Sequence, residues 1–416
     1  MSSFFARRLL ALSVLVPLLT GCSLATQRPS DTTAAANSDP TPSRTLIIDT
    51  HIDAPFRLHR NYADLSQSAP DGQFDYPRAK AGGLNGAFMS IYIPASVDEQ
   101  GGSVALADKL IDDIEALAQA HPDKFAIATC TADIYAQADN GLISLPMGME
   151  NGGPVAAYPS ALEHFYRRGI RYISLTHSKS NALSDSSYDL NEPLGGLSAL
   201  GRETVLRMNN LGVMIDVSHI SDSAFEQVLA VSQAPVIASH SSLRHFIPGF
   251  HRNMSDDMVR ALGGAGGVVQ INFGSSFVST EARAYSNRAR LIIGKFQREN
   301  NLTWDSPELR AFRNQYREAN PYPFATLDTV LDHIDRTAEL AGIDAVGIGS
   351  DYDGVGDTLP IGLKDVSTYP NLMDGLAKRG YSRQDIDKIM GGNLMRVWRE
   401  VEAFAKAQGN AALCRS

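Results

Sequence analysis

Six short apolar runs in this chain each end on one residue of metal-binding or acidic type. They are Leu46-Ile-Ile-Asp49-Thr-His51-Ile-Asp53, Ile143-Ser-Leu-Pro-Met-Gly-Met-Glu150 and Arg171-Tyr-Ile-Ser-Leu-Thr-His177, then Val213-Met-Ile-Asp216-Val-Ser-His219, Pro235-Val-Ile-Ala-Ser-His240 and Ala345-Val-Gly-Ile-Gly-Ser-Asp351. Strands buried on both faces read as near-continuous apolar runs. A (β/α)8 barrel collects its functional side chains from the C-terminal ends of such strands. Three His-ended runs, one His-x-Asp run, one Glu-ended run and one Asp-ended run exceed what packing asks for, and they read as a hydrolytic metal centre.

Eight strand candidates can be named, at 46–51, 86–93, 143–149, 171–176, 213–218, 235–239, 267–273 and 345–350. Helical spacing separates most of them. Leu106, Leu110, Ile114 and Leu117 form one stripe. Val205, Met208 and Leu211 form another before a Gly212 stop, and Leu327, Val330, Ile334 and Ala338 a third before Gly342. The alternation predicts an α/β fold, a TIM-type (β/α)8 barrel over residues 45–408 with a tail at 409–416. No Gly-x-Gly-x-x-Gly follows an early strand, which counts against a dinucleotide-binding sheet. Residues 275–325 are rich in Arg, Asn, Tyr and Glu and carry no strand pattern. They predict an insertion over the barrel mouth, as lid or substrate wall, with a peripheral helical insertion as the alternative.

The chain has 416 residues, 44% hydrophobic and 20% charged, enough for a large core. Its net charge of −9 offers no basic field for nucleic acid. The three cysteines, Cys22, Cys130 and Cys414, form no Cys-x-x-Cys pair, which disfavours a thiolate zinc site. A Cys130–Cys414 disulfide and two free thiols both remain open.

Residues 1–21 read as a signal peptide: Arg7 and Arg8, an apolar run Leu9–Leu19, then Leu19-Thr-Gly-Cys22. That ending resembles a bacterial lipoprotein signal, which implies cleavage before Cys22 and lipidation of its sulfur. An ordinary secretory signal is the alternative. The leader holds two arginines and no acid, so its loss takes the net charge from −9 to −11. Ser23 favours the outer membrane, facing the periplasm, in the sorting pattern this resembles. Residues 22–44 are Ser/Thr/Ala/Pro-rich and predict a disordered tether reaching roughly 25 Å.

His51 and Asp53 lie two residues apart, so in extended backbone both side chains share a face. They can grip one cation. Glu150 has two oxygens and can bridge two cations, while His219 and His240 can complete a second position. Five N/O ligands without thiolate suit zinc, with manganese or cobalt as substitutes. Two such ions share a water and lower its pKa toward roughly 7. Asp351 is placed to carry a proton from that water to a leaving amine; a metal ligand or turn residue is the alternative. His177 can polarise a scissile carbonyl. Arg252 can clamp a substrate carboxylate, or be a surface loop arginine. Asp49 and Asp216 read as supporting groups and Asp353-Gly354 as turn chemistry. His59, His121, His164, His245 and His333 read as packing or surface histidines.

The runs Ile48-Asp-Thr-His51-Ile-Asp53, Gly148-Met-Glu150-Asn-Gly, Leu175-Thr-His177-Ser, Gly212-Val-Met-Ile-Asp216-Val-Ser-His219, Pro235-Val-Ile-Ala-Ser-His240-Ser-Ser, Arg252-Asn-Met-Ser-Asp-Asp and Val346-Gly-Ile-Gly-Ser-Asp351-Tyr-Asp-Gly together resemble the membrane (renal) dipeptidase family of the amidohydrolase superfamily. The resemblance covers about residues 46–402, including Gly392-Asn-Leu-Met-Arg-Val. It implies a binuclear zinc dipeptidase, with His51 and Asp53 on one zinc, Glu150 bridging, and His219 and His240 on the other. His177 would meet the scissile carbonyl, Arg252 the C-terminal carboxylate, and Asp351 the proton. The family accepts a D-residue at the dipeptide's C-terminal position, some members open β-lactam rings, and its barrels are often homodimers. Eukaryotic members are held by a C-terminal lipid signal, whereas this chain is expected to be anchored through Cys22. Lys179–Ser187 and 275–325 look individual to this chain, which leaves side-chain preference open. The remaining readings are another amidohydrolase, acting on cyclic amides or N-acyl amino acids, and a non-catalytic binding lipoprotein.

Overall fold

The computed structural model describes residues 45–303, 306–411 and 413–414. The signal peptide, Cys22 and the tether lie outside the described residues. Eight strands form the central sheet: β1 (Ile47–Ile52), β2 (Leu84–Tyr92), β3 (Met147–Glu150), β4 (Ile170–Ser174), β5 (Met214–Asp216), β6 (Ile237–Ser241), β7 (Val268–Ile271) and β8 (Val346–Ile348). Each predicted run overlaps one of them, with ends that differ by a few residues. Every neighbouring pair from β1 to β8 is parallel. Two-residue strands at Phe125–Ala126 and Ile143–Ser144 extend the sheet from β2.

The ladder does not run continuously from β8 back to β1. A parallel bridge between Ile52 and Tyr352 joins the ring instead. Around it, Asp351 N–H donates to His51 O at 3.1 Å and Asp53 N–H to Tyr352 O at 2.8 Å. The closure of this TIM-type barrel therefore runs through the residues of the predicted site.

Helices cover the outside of the ring. Ser198, Ser221 and Ser255 cap the helices Ala199–Leu211, Asp222–Val231 and Asp256–Gly264, each accepting a backbone N–H two or three residues into the helix. The predicted stop at Gly212 holds, with φ of +80° in the left-handed region, where a side chain is strained. One large core lies between the strands and these helices. A second cluster takes Ile48, Phe88, Tyr172, Met214, Ile237 and Val268 from six strands and packs them on Leu394, Val397 and Trp398 of the helix Asn393–Ala407. That helix rides close to the start of β1, where a side chain on Gly391 would meet Leu46 O at 2.6 Å.

The 275–325 segment is helical, at Ser275–Val278, Thr280–Glu299 and Pro307–Ala319. The two longer helices pair through stacked Phe296 and Phe312, 3.9 Å apart. Its first turn supplies Phe277 to the central cavity. Wall and peripheral hairpin thus both describe it, at different residues.

Cys130 and Cys414 form a disulfide across a Cα–Cα distance of 5.2 Å and a separation of 284 residues. Arg171 Nη2 donates to Leu413 O at 3.3 Å beside it. Closing so long a loop restricts the unfolded chain, a contribution of about 3–5 kcal/mol. Reduction, or the C130S/C414S double variant, should lower urea-unfolding stability by that amount. Equal midpoints with and without reductant would remove the role.

Candidate metal centre at the C-terminal ends of the strands

Glu150, the last residue of β3, stands at the centre of the site. Its Oε1 lies 2.9 Å from His219 Nε2, 3.2 Å from His240 Nε2 and 3.5 Å from His177 Nε2. Its Oε2 lies 3.5 Å from His51 Nε2, which is itself 3.4 Å from Asp53 Oδ2. Three ligand groups result: His51–Glu150–His240, Glu150–His177–His219 and His51–Asp53–Asp351. All eight predicted site residues of the barrel converge here. Three details differ from the sequence expectation: His240 groups with His51 and Glu150 and not with His219, His177 shares a group with Glu150 and His219, and Asp351 shares one with His51 and Asp53.

The backbone is bent to achieve this. His219 and Asp351 hold φ of +73° and +64°, and the neighbouring Asn151 and Asp353 hold +83° and +67°. Such conformations cost of order 1–3 kcal/mol each and persist only where surrounding structure enforces them. The β1–β2 register shifts between Asp49 and Ile52, and the β6–β7 register between Ala238 and Ser241, so His51 and His240 both leave irregular strand ends.

Supporting groups orient the ligands. Asp216 accepts Ser239 Oγ at 2.6 Å, and Ser239 Oγ lies 2.7 Å from His240 Nδ1. The serine proton is committed to Asp216, so the hydroxyl accepts from His240 Nδ1–H and leaves Nε2 as a lone pair facing the site. Asp216 also accepts Ser174 Oγ and the Ser218 and Ser239 amides. Asp49 accepts the His51 amide at 2.9 Å and Tyr369 OH at 2.5 Å. Tyr172 OH meets His51 Nδ1 at 2.8 Å. The supporting reading of Asp49 and Asp216 fits this geometry.

Burial drives the electrostatics. It holds His219 and His240 well below the ordinary imidazole range, helped by the positive charge of Arg252. Burial also lowers His177, against the pull of Glu150. Burial pulls His51 down as well, but Tyr172, Asp53 and Glu150 outweigh it and raise the group well above its usual value. Burial would raise Glu150, yet the surrounding imidazoles hold it well below the usual carboxylate range. Asp351 is pushed well above that range by burial and by Asp53. Its Oδ2 accepts Asn272 Nδ2 at 2.7 Å.

The donor set fits divalent cations. His219 Nε2 and His240 Nε2 face each other at 2.8 Å, and with its proton on Nδ1 His240 presents a lone pair there. His51 Nε2 and Asp53 Oδ1 are buried without a hydrogen-bond partner. Buried polar atoms of this kind are normally satisfied, and a cation satisfies all of them together.

The cavity above the ligands holds about 610 Å³. Arg252 is buried in its wall, which removes the surface-loop reading. Its Nη1 donates to Ser241 Oγ and its Nη2 to His240 O, both at 2.8 Å, and its guanidinium lies 5.7 Å over Phe277. Its Nε has no partner. Sequence reasoning missed Phe56, Arg57, Tyr92, Tyr188 and Asn272. Asn272 had a visible signal, since it is a polar residue just past the strand Val268–Ile271 in the seventh apolar run. Asp353 does more than turn the chain: its buried carboxylate pairs with Arg57 Nε at 3.0 Å and accepts the Gln73 amide at 2.6 Å.

A parallel (β/α)8 ring with a His/carboxylate cluster at its strand ends fits a metal-dependent hydrolase. A family model described as membrane dipeptidase, peptidase family M19, matches residues 39–412, and the chain belongs to that family. An uncharacterised dipeptidase of Schizosaccharomyces pombe is 31% identical over 373 residues, covering 86% of this chain and 81% of its own. The dipeptidase verJ of Clonostachys rogersoniana is 31% identical over 370 residues, covering 86% and 84%. The crystal structure of the probable dipeptidase PvdM from Pseudomonas aeruginosa shares the fold with a TM-score of 0.74 and 30% identity, covering 87% of this chain and 96% of that one.

The remaining histidines stay outside the cluster. His164 lies 2.9 Å and His121 3.5 Å from aspartates, while His59 and His245 are exposed. His333 is buried, accepting the Leu243 amide at Nδ1 and donating from Nε2 to Val278 O. Burial lowers its pKa to about 4. An unfolded histidine titrates near 6.5, so below that value the unfolded chain takes up a proton that the fold refuses. The contribution is full above about pH 6.5 and is lost as pH falls toward 4, some 3 kcal/mol in all. His333→Asn retains an acceptor for Leu243 and removes the titration. Its stability should be lower at pH 7 and decline less steeply between pH 6.5 and 4, by urea unfolding; parallel declines would refute this.

Proposed function

We propose that this chain is a zinc-dependent dipeptidase that hydrolyses dipeptides, including those with a C-terminal D-residue. The observation that carries the reading is the convergence of four imidazoles and the Glu150 carboxylate beneath a cavity with a buried arginine in its wall. His51 and Asp53 would hold one ion and His219 and His240 the other, with Glu150 between them. When bound, such a pair polarises a carbonyl oxygen and lowers the pKa of water toward about 7. Family membership supports the dipeptide substrate; the D-residue tolerance rests on the resemblance to that family.

The chain's own groups divide the remaining work. Arg252 binds the C-terminal carboxylate, and burial strengthens that contact. Only the last peptide bond of a chain has a free carboxylate beside it, so this contact restricts cleavage to that bond and favours short substrates over internal bonds of proteins. His177 donates from Nε2 to the scissile carbonyl oxygen as negative charge builds there. Asp351 takes a proton from the attacking water and delivers it to the departing amine nitrogen, with Asn272 fixing its other oxygen. Water oxygen ends on the carbonyl carbon and its proton on the amine, so the reaction balances.

The purified chain, loaded with zinc, should release free amino acids from L-Ala-L-Ala and L-Ala-D-Ala. Chelation should abolish turnover and zinc restore it. Arg252→Ala should lower kcat/KM on the order of 100-fold, the loss of one charge-assisted contact. No turnover of any dipeptide with two zinc ions bound per chain would favour another amide substrate. We also place the mature chain at the periplasmic face of the outer membrane, anchored through Cys22, on the strength of Leu19-Thr-Gly-Cys22. Cys22→Ser should release it from the membrane fraction; unchanged sedimentation with membranes would count against the anchor.

A further inference from the structure

The cavity wall is not chemically uniform, and its arrangement bears on the substrate's N-terminal side chain. The helix Ala54–Arg60 starts one residue after Asp53. Phe56 and Arg60 are four residues apart and share one face of it. Phe56 packs edge-on against Tyr92 at 5.0 Å, and Tyr92 against His177 at 4.8 Å. A continuous wall therefore runs from His177 through Tyr92 and Phe56 to Arg60, all lining the cavity. Arg252 stands at the other end, against Phe277 and His219.

This geometry orients a dipeptide, on the reading of the site given above. With the C-terminal carboxylate at Arg252 and the scissile carbonyl at His177, the N-terminal residue lies along Tyr92 and Phe56. Its side chain then ends near Arg60.

Arg60 differs from the other arginines of the cavity. Arg57 is neutralised by Asp353. Arg252 is held by Ser241 and His240. Arg60 is exposed to the cavity and, among the described residues, makes no ion pair or hydrogen bond. The carboxylates of that wall are committed elsewhere, Asp353 to Arg57 and Asp53 within 3.4 Å of His51. An aromatic surface ending in a free guanidinium suits an aliphatic stem with a terminal carboxylate.

We propose that Arg60 is a specificity-determining residue that selects dipeptides with an acidic, glutamate-like side chain at the N-terminal position.

L-Glu-L-Ala and L-Gln-L-Ala are nearly isosteric and differ by one charge, so the ratio of their kcat/KM values reads the contact directly. The zinc-loaded chain should favour L-Glu-L-Ala about five-fold, the scale of a partly exposed ion pair. The preference should lie in KM and shrink with added salt. Arg60→Ala should bring the ratio near one, and Arg60→Glu should invert it while raising L-Lys-L-Ala relative to L-Gln-L-Ala. A ratio near one in the unaltered chain, or the same ratio in all three proteins, overturns the assignment while leaving the dipeptidase intact. Absence of turnover on every dipeptide, with zinc bound, overturns the dipeptidase reading and this inference with it.

Discussion

A buried carboxylate surrounded by imidazoles is the constraint on which the rest of this structure depends. Glu150 is almost removed from solvent, at 4% exposure. An ionised carboxylate there would cost several kcal/mol without compensation. Four histidines from four different strand ends supply it, each within 3.5 Å. The strand ends that carry those histidines must therefore meet within a few ångströms. The barrel is the scaffold that makes them meet.

That demand explains the features clustered around the site. Left-handed backbone at His219 and Asp351 turns each side chain into the cavity. Register shifts at β1 and β6 do the same for His51 and His240. Asp216 and Asp49 each accept several backbone and hydroxyl donors and so hold the strained ends in place. Below them, Tyr172 links His51 to Phe88 and, through Phe88, to Trp398 of the C-terminal helix. The core and the site are thus one mechanical unit.

The eight strands were legible because a strand buried on both faces must be apolar almost throughout, and such runs stand out against helical spacing. The ligands were legible because polar residues at the ends of those runs have no packing reason to be there. The cavity wall was less legible. Nothing in the sequence around Phe56 and Tyr92 marks them as cavity residues. Arg57 and Asp353 lie far apart in the chain, and nothing local marks them as a pair. The sequence left Arg252 between a carboxylate clamp and a surface-loop arginine, and tertiary packing against Phe277 buries it. The disulfide stayed open for the same reason, since pairing across 284 residues is decided by where the C-terminal tail lands.

The sequence by itself determined the barrel, the identity of the converging residues and the class of chemistry, because periodicity and residue type are local properties. Only the tertiary structure decided how the ligands group. It placed His177 beside Glu150, placed Asp351 beside Asp53, and left one arginine of the cavity free while neutralising another. Those outcomes depend on distances between strand ends and loops that no local pattern encodes. They arise from ring closure and from the need to pair every buried charge.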